Sequence, residues 1–189
     1  MHRILANAFL CALALTTAFA QEPARGASTI TFGLGGGWLA SANEYNTEGG
    51  PVFNGTYEYR ISRHWALAGG VHTTLTTIDS LYYFYPSVIM SKESRRNTST
   101  PVYALGIQPI MNGRMELFFG LGGGYMWNSA QPYQGWEGQS TAGARYAIDK
   151  QRHVWIGTSA EYWHEFNIGN QNWISWTANF GYRFATSRR

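Results

Sequence analysis

Lysine occurs only twice in this chain, at Lys92 and Lys150, and cysteine once, at Cys11. Charged residues are 13% of the 189 positions, against about 25% in an ordinary soluble domain. A lone cysteine inside an N-terminal apolar stretch excludes a disulfide framework and a thiolate metal site, and it is misplaced for a lipoprotein cysteine. The net charge of +3 is small and its arginines are scattered, so neither charge nor motif points to nucleic acid. Beyond the first 20 residues no apolar run approaches the roughly 20 residues of a spanning helix. What is abundant is aromatic, 16% of the chain. Rich in rings, poor in charge and without helical spans is the balance expected when lipid-facing and lumen-facing residues alternate along strands.

The N-terminus reads as an export signal. Arg3 supplies the positive region, residues 4–17 the apolar core, and Ala18-Phe19-Ala20 a small-x-small cleavage site. The expected division is a signal peptide over 1–20, a short periplasmic segment over 21–28, a barrel over 29–184 and a tail over 185–189.

Alternation carries the rest. In Trp173-Ile-Ser-Trp-Thr-Ala-Asn-Phe-Gly-Tyr-Arg-Phe184 every second residue from Ile174 is apolar or aromatic, except that Ala178 is small; the intervening row is polar. Successive strand side chains point to opposite faces, which gives one apolar and one polar wall. Seven further stretches share the period: 29–39, 52–61, 65–77, 100–110, 115–128, 138–148 and 154–166. Tyr103, Leu105 and Ile107 are taken as the apolar face of the fourth. The seventh is ambiguous, because Trp155 and Trp163 oppose its apolar row. Connections alternate between tight turns, at 62–64, 112–114 and 149–152, and longer stretches, at 40–51, 78–99, 129–137 and 167–172. Short turns on one side and long loops on the other are the habit of outer-membrane barrels. The fold expected is all-β: an eight-stranded antiparallel up-and-down transmembrane β-barrel.

Phe32-Gly-Leu-Gly-Gly-Gly-Trp38 recurs as Phe119-Gly-Leu-Gly-Gly-Gly-Tyr125. Trp38 and Tyr125 stand where a dinucleotide fingerprint needs its last glycine, and no helix follows, so no nucleotide site is read here. Glycine is expected to relieve crowding inside a narrow, curved barrel.

With the apolar rows outward, the polar rows line the lumen: Glu58, Arg60, His72, Gln108, Glu116, Arg145, Glu161 and Arg183. Eight strands leave an interior just wide enough for side chains, and charges confined there must pair. A Glu/Arg network of Glu58, Arg60, Glu116, Arg145, Glu161 and Arg183 is therefore expected to fill the lumen and to play a structural role. Two rim features are alternatives to weigh. His72, Asp79 and Ser80 supply the residue types of a hydrolytic triad, though at generic spacing. His164-Glu165 is an adjacent pair of potential ligands. The stretch 78–99 carries Tyr82, Tyr83 and Tyr85, then Lys92, Arg95 and Arg96. It reads either as a surface contact suited to phosphate or anionic sugar, or as strands three and four running past the membrane. No cofactor or metal is expected.

Tyr57-Glu-Tyr-Arg-Ile-Ser-Arg-His-Trp-Ala-Leu67, Phe118-Phe-Gly-Leu-Gly-Gly-Gly-Tyr125 and Trp176-Thr-Ala-Asn-Phe-Gly-Tyr-Arg-Phe184 resemble the OmpA/OmpX/Ail-type eight-stranded outer-membrane β-barrel superfamily. The resemblance implies an outer-membrane location, a single-chain barrel in contact with outer-membrane lipid and lipopolysaccharide, and insertion by the barrel-assembly machinery. Members usually end on the terminal aromatic that this machinery reads, whereas Ala185–Arg189 follow Phe184 here. A structural or surface-interaction role without catalysis is the leading expectation. A lipid A-modifying acyltransferase or deacylase, or a narrow channel for small solutes, are the alternatives.

Overall fold

A sheet with one lipid-compatible face and one polar face has a single way to hide its edges and its polar wall, which is to close. The computed structural model describes residues 26–39, 49–84, 87–129, 134–166 and 172–184. Residues 1–25, which hold the expected signal peptide, and 185–189, the expected tail, lie outside the described residues. The strands are β1 (Ser28–Leu39), β2 (Gly49–Arg60), β3 (Trp65–Phe84), β4 (Ser87–Ile110), β5 (Met115–Asn128), β6 (Gln134–Ala147), β7 (Val154–Glu165) and β8 (Asn172–Phe184). They form a closed barrel in sequence order, every neighbouring pair antiparallel. Following paired residues around the wall runs Gly37, Ser175, Glu161, Thr141, Gly120, Leu105, Ala66, Arg60 and back to Ala27, the residue just before β1. The row returns ten residues from its start (37 against 27), and this stagger sets the tilt and leaves a narrow bore.

Phe32, Leu34, Leu67, Val71, Leu121 and Phe180 point outward along the middle of the wall. Rings gather near both rims: Tyr59, Trp65, Tyr146 and Tyr182 at the turn end, and Trp38, Trp127, Trp136 and Phe166 at the loop end. Such girdles mark the two interfaces of a membrane-spanning barrel. On β7, Ile156 and Tyr162 face outward while Trp155 and Trp163 are buried in the lumen, which resolves the ambiguous phase.

β4 departs from its expected face. Val102 is 62% exposed, while Tyr103, Leu105 and Ile107 are buried, so the row read as outward faces the lumen. Gln108 consequently lies on the outer row, half-buried, donating to the Pro109 carbonyl. The cause is on β5: Tyr103 pairs with Gly122 and Leu105 with Gly120, and a Cβ on Gly120 would stand 2.4 Å from the Leu105 side chain. Glycines in one strand make the holes that the next strand's side chains fill. With Ala66 and Ala68 of β3, these residues form an apolar plug packed against Phe118.

β3 and β4 are 20 and 24 residues long, so most of the stretch expected as a loop at 78–99 is a continuation of the hairpin. Their ladder skips Pro101, which has no N–H to give. The tight turns fall as expected: Met111, Asn112 and Gly113 all take positive φ, and Asp149 accepts the amides of His153 (3.0 Å) and Val154 (2.8 Å).

Candidate functional site in the barrel lumen

Inward side chains change character from the turn end to the loop end. At the turn end, Arg60 closes β2, Glu116 opens β5, and Arg145 and Arg183 sit near the ends of β6 and β8. Tilt brings them to one level. Glu116 accepts from Arg60 at 2.8 Å, from Arg145 at 2.7 Å and from Arg183 at 2.9 Å. Arg145 also holds Glu58 in a two-pronged pair at 2.6 and 2.9 Å, and Arg60 lies 3.5 Å from the same carboxylate. Three guanidinium groups thus surround two carboxylates, each with good geometry. Arg183 further donates to Thr29 and lies 4.2 Å over the Trp155 ring. Buried ions persist only when their charges and hydrogen bonds are met, and here they are.

Above this cluster lies a cavity of about 70 Å³, bounded by Thr31, Thr56, Tyr103, Ser159 and Asn179 among others. At its far side sits Glu161, the one member of the expected network that is not in it. Glu161 contacts Nδ1 of the fully buried His72 at 2.5 Å, and Asn54 donates to it at 3.5 Å. Asn54, Ser159, Thr177 and Asn179 are joined by a belt of hydrogen bonds of 2.8 to 3.2 Å. The separation has a simple cause: Arg145 is nearer the turn end, four residues along β6 from Thr141, the pairing partner of Glu161, and already holds two carboxylates.

Nearer the loop end, Tyr103 donates to Gln139, Gln139 donates to Ser99 at 2.7 Å and to Glu137, and Ser99 donates to Glu137. Glu137 pairs directly across the ladder with Glu165, and both are buried. The sequence reading assigned Glu137 to a loop and Glu165 to the rim. The signal was present: Glu161, Trp163 and Glu165 share one row, as do Glu137 and Gln139 on an extended β6.

The rim candidates do not assemble. His72 is inside the barrel, bound to Glu161, while Asp79 and Ser80 follow seven and eight residues later, roughly 23 Å or more along the strand at 3.3 Å per residue. The side chains of Asp79, Ser80, Tyr82, Tyr83 and Arg95 lie outside the described residues, as does Tyr85 altogether. Arg96 is exposed. His164 and Glu165 alternate: His164 faces out, bonded to Asn172 at 2.8 Å and stacked edge-on with Phe166, whereas Glu165 faces in. They share no ligand position. Among the described residues, no three His, Cys, Asp or Glu form a metal-binding group.

The chain resembles several solved barrels. Ail, the attachment invasion locus protein of Yersinia pestis, solved with the heparin analogue sucrose octasulfate, is 18% identical, covers 85% of this chain and all of its own, and gives a TM-score of 0.54. The neisserial surface protein NspA is 12% identical over 84% of this chain and 99% of its own, at 0.64. OprG of Pseudomonas aeruginosa is 12% identical over 89% of this chain and all of its own, at 0.62. At these identities the likeness concerns the fold. No curated protein sequence matches the chain. Its residues 9–184 match the family described as Outer membrane protein beta-barrel domain, and to that family the chain belongs.

Proposed function

We propose that the protein is an integral outer-membrane scaffold, exported on a signal segment cut after Ala20, whose barrel is plugged and whose activity is contact at the cell surface. The observation that carries this is the β3–β4 hairpin. From Thr77↔Ser94 to Phe84↔Ser87 the two strands pair with each other, past the last β2 partner at Val52↔Thr74 and the last β4–β5 pair at Asn97↔Asn128. This ribbon extends roughly 25 Å at 3.3 Å per residue. In register Lys92 pairs with Asp79 within the ribbon, Arg95 and Arg96 pair with Thr76 and Leu75 at its base, and Tyr82 and Tyr83 lie nearer its tip; these residue types suit sulfated or phosphorylated sugar. Ail, a fold relative, was solved with a sulfated heparin analogue, which makes that ligand class the first to try.

The test is retention of the folded protein on immobilised heparin and on lipopolysaccharide vesicles. The triple variant K92E/R95E/R96E loses retention if the reading holds, and unchanged retention sinks it. The ionic cluster and the Tyr103–Leu105–Ile107 plug support a barrel without steady conductance, so planar-bilayer recordings showing stable single-channel steps would favour the channel reading instead. The separated His72, Asp79 and Ser80 weigh against lipid A chemistry, and an altered lipid A mass spectrum on expression would reverse that.

A further inference from the structure

Among the described side chains, the arginines that face the lumen, Arg60, Arg145 and Arg183, all serve the turn end. The loop end holds carboxylates without them. Glu137 and Glu165 stand directly opposite each other on neighbouring strands, where side chains approach to about 5 Å and like charges repel. Glu165 is 1% exposed and neither of its oxygens has a hydrogen-bond partner. Glu137 has donors, Ser99 and Gln139, but both are neutral and no described cation pairs with it. Of the connections on this side, 40–48, 130–133 and 167–171 add Glu44 and Glu48 and neither lysine nor arginine, while Lys92, Arg95 and Arg96 of β4 lie beyond Asn97 toward the ribbon.

A second, independent group points the same way. Asn97 is 2% exposed, and its amide oxygen lacks a partner. It occupies the inward row of β4 two residues nearer the mouth than Ser99, whose hydroxyl reaches Glu137. The tilt of the wall brings Asn97 to the level of Glu165. Two carboxylates and an amide oxygen, with the Ser99 hydroxyl behind them, are a donor set made only of oxygen. Oxygen-only sets select hard cations, and a bidentate carboxylate with one or two further oxygens leaves the remaining positions to water. The indole N–H groups of Trp163 and Trp173, also buried without acceptors, suit the water oxygens of a partly hydrated ion.

We propose that the loop-end lumen binds one hard divalent cation of the calcium class, held by Glu137, Glu165 and the Asn97 amide oxygen. It is independent of the surface-contact reading. With only two carboxylates the affinity falls at the weak end for such sites, about 10⁻⁴–10⁻³ M.

Terbium is the probe, because Trp163 and Trp173 stand beside the proposed ion and can sensitise it. The full chain is folded in detergent micelles, its fold checked by heat-modifiable gel migration, and tryptophan-excited terbium emission is titrated and then competed with calcium chloride. The expected result is a saturable signal displaced by calcium, weakened about tenfold or more in E165Q and in E137Q. N97D, which adds a third carboxylate without adding bulk, tightens binding about tenfold, and it keeps the test open if either glutamine variant fails to fold. No saturable signal, or an affinity unchanged in E165Q or in N97D, overturns the proposal.

Discussion

The two ends of this lumen are built from the same acid and answer it differently. At the turn end, Glu58 and Glu116 are each gripped by at least two arginines at 2.6 to 3.5 Å. At the loop end, Glu161 has a histidine and an amide, Glu137 has neutral donors, and Glu165 has no hydrogen-bond partner. The difference teaches that filling a barrel and charging its mouth are separate tasks. A closed ionic cluster ties the ends of four strands, β2, β5, β6 and β8, together at once. Unmatched carboxylates add nothing to that packing and are left poised toward whatever enters.

The largest expected effect comes from breaking the matched end. Arg145→Met removes the bidentate partner of Glu58 and one of the three cations around Glu116, and a buried pair broken from one side costs about 3–5 kcal/mol. The unfolding free energy in denaturant reads this directly, and a loss under about 1 kcal/mol would mean the cluster is solvated. Next comes the plug between the two halves. Leu105→Ala opens the space over Gly120 and costs about 2–3 kcal/mol, whereas Val102→Ala on the lipid side of the same strand costs less than half of that. Equal losses would restore the outward phase for Tyr103, Leu105 and Ile107.

The smallest effect lies outside the bore, at the β6–β7 turn. Desolvation within the turn pushes the Asp149 carboxyl up, but the amides of His153 and Val154 outweigh it and hold the group below the ordinary aspartate range. A carboxyl with a depressed folded pKa stabilises above its unfolded value, near about 3.9, and loses that contribution as pH falls through the folded value. Asp149→Asn therefore lowers the unfolding midpoint slightly at pH 7, and the difference from the parent chain shrinks toward pH 3. A difference that grows on acidification contradicts the turn as described.

Much of this was legible in alternation. Six strands present the face that their residues announce, because on them the contrast between apolar and polar rows coincides with the contrast between lipid and lumen; β7, whose two tryptophans left its phase open, turns Ile156 and Tyr162 outward. β4 breaks the coincidence. Its outward row is Val102, Ala104 and Gly106, and its bulky row fills a bore that Gly120 and Gly122 leave open, so contrast within the strand pointed the wrong way. The information was held by the neighbouring strand. The repeat of Phe32–Trp38 at Phe119–Tyr125 was visible, and its use appears in space: a Cβ on Gly35 would stand 1.8 Å from the Trp176 carbonyl oxygen, and on the equivalent Gly122 1.9 Å from that of Val102. The Glu/Arg residues of the lumen could be named from their row. Which of them meet depends on the tilt, and tilt is a property of the closed wall, so Glu161 was grouped with arginines that lie below it.

The contrast between the two ends is tested most directly by one pair of measurements made side by side: the unfolding free energies of Glu116→Gln and Glu165→Gln in the same micelles without added divalent metal. Glu116→Gln leaves Arg60 and Arg145 with Glu58 alone and Arg183 with no carboxylate, and should lose about 3–5 kcal/mol. Glu165→Gln relieves a like-charge neighbour and should leave stability unchanged or raise it by up to about 1 kcal/mol. Equal losses from the two substitutions would contradict the account.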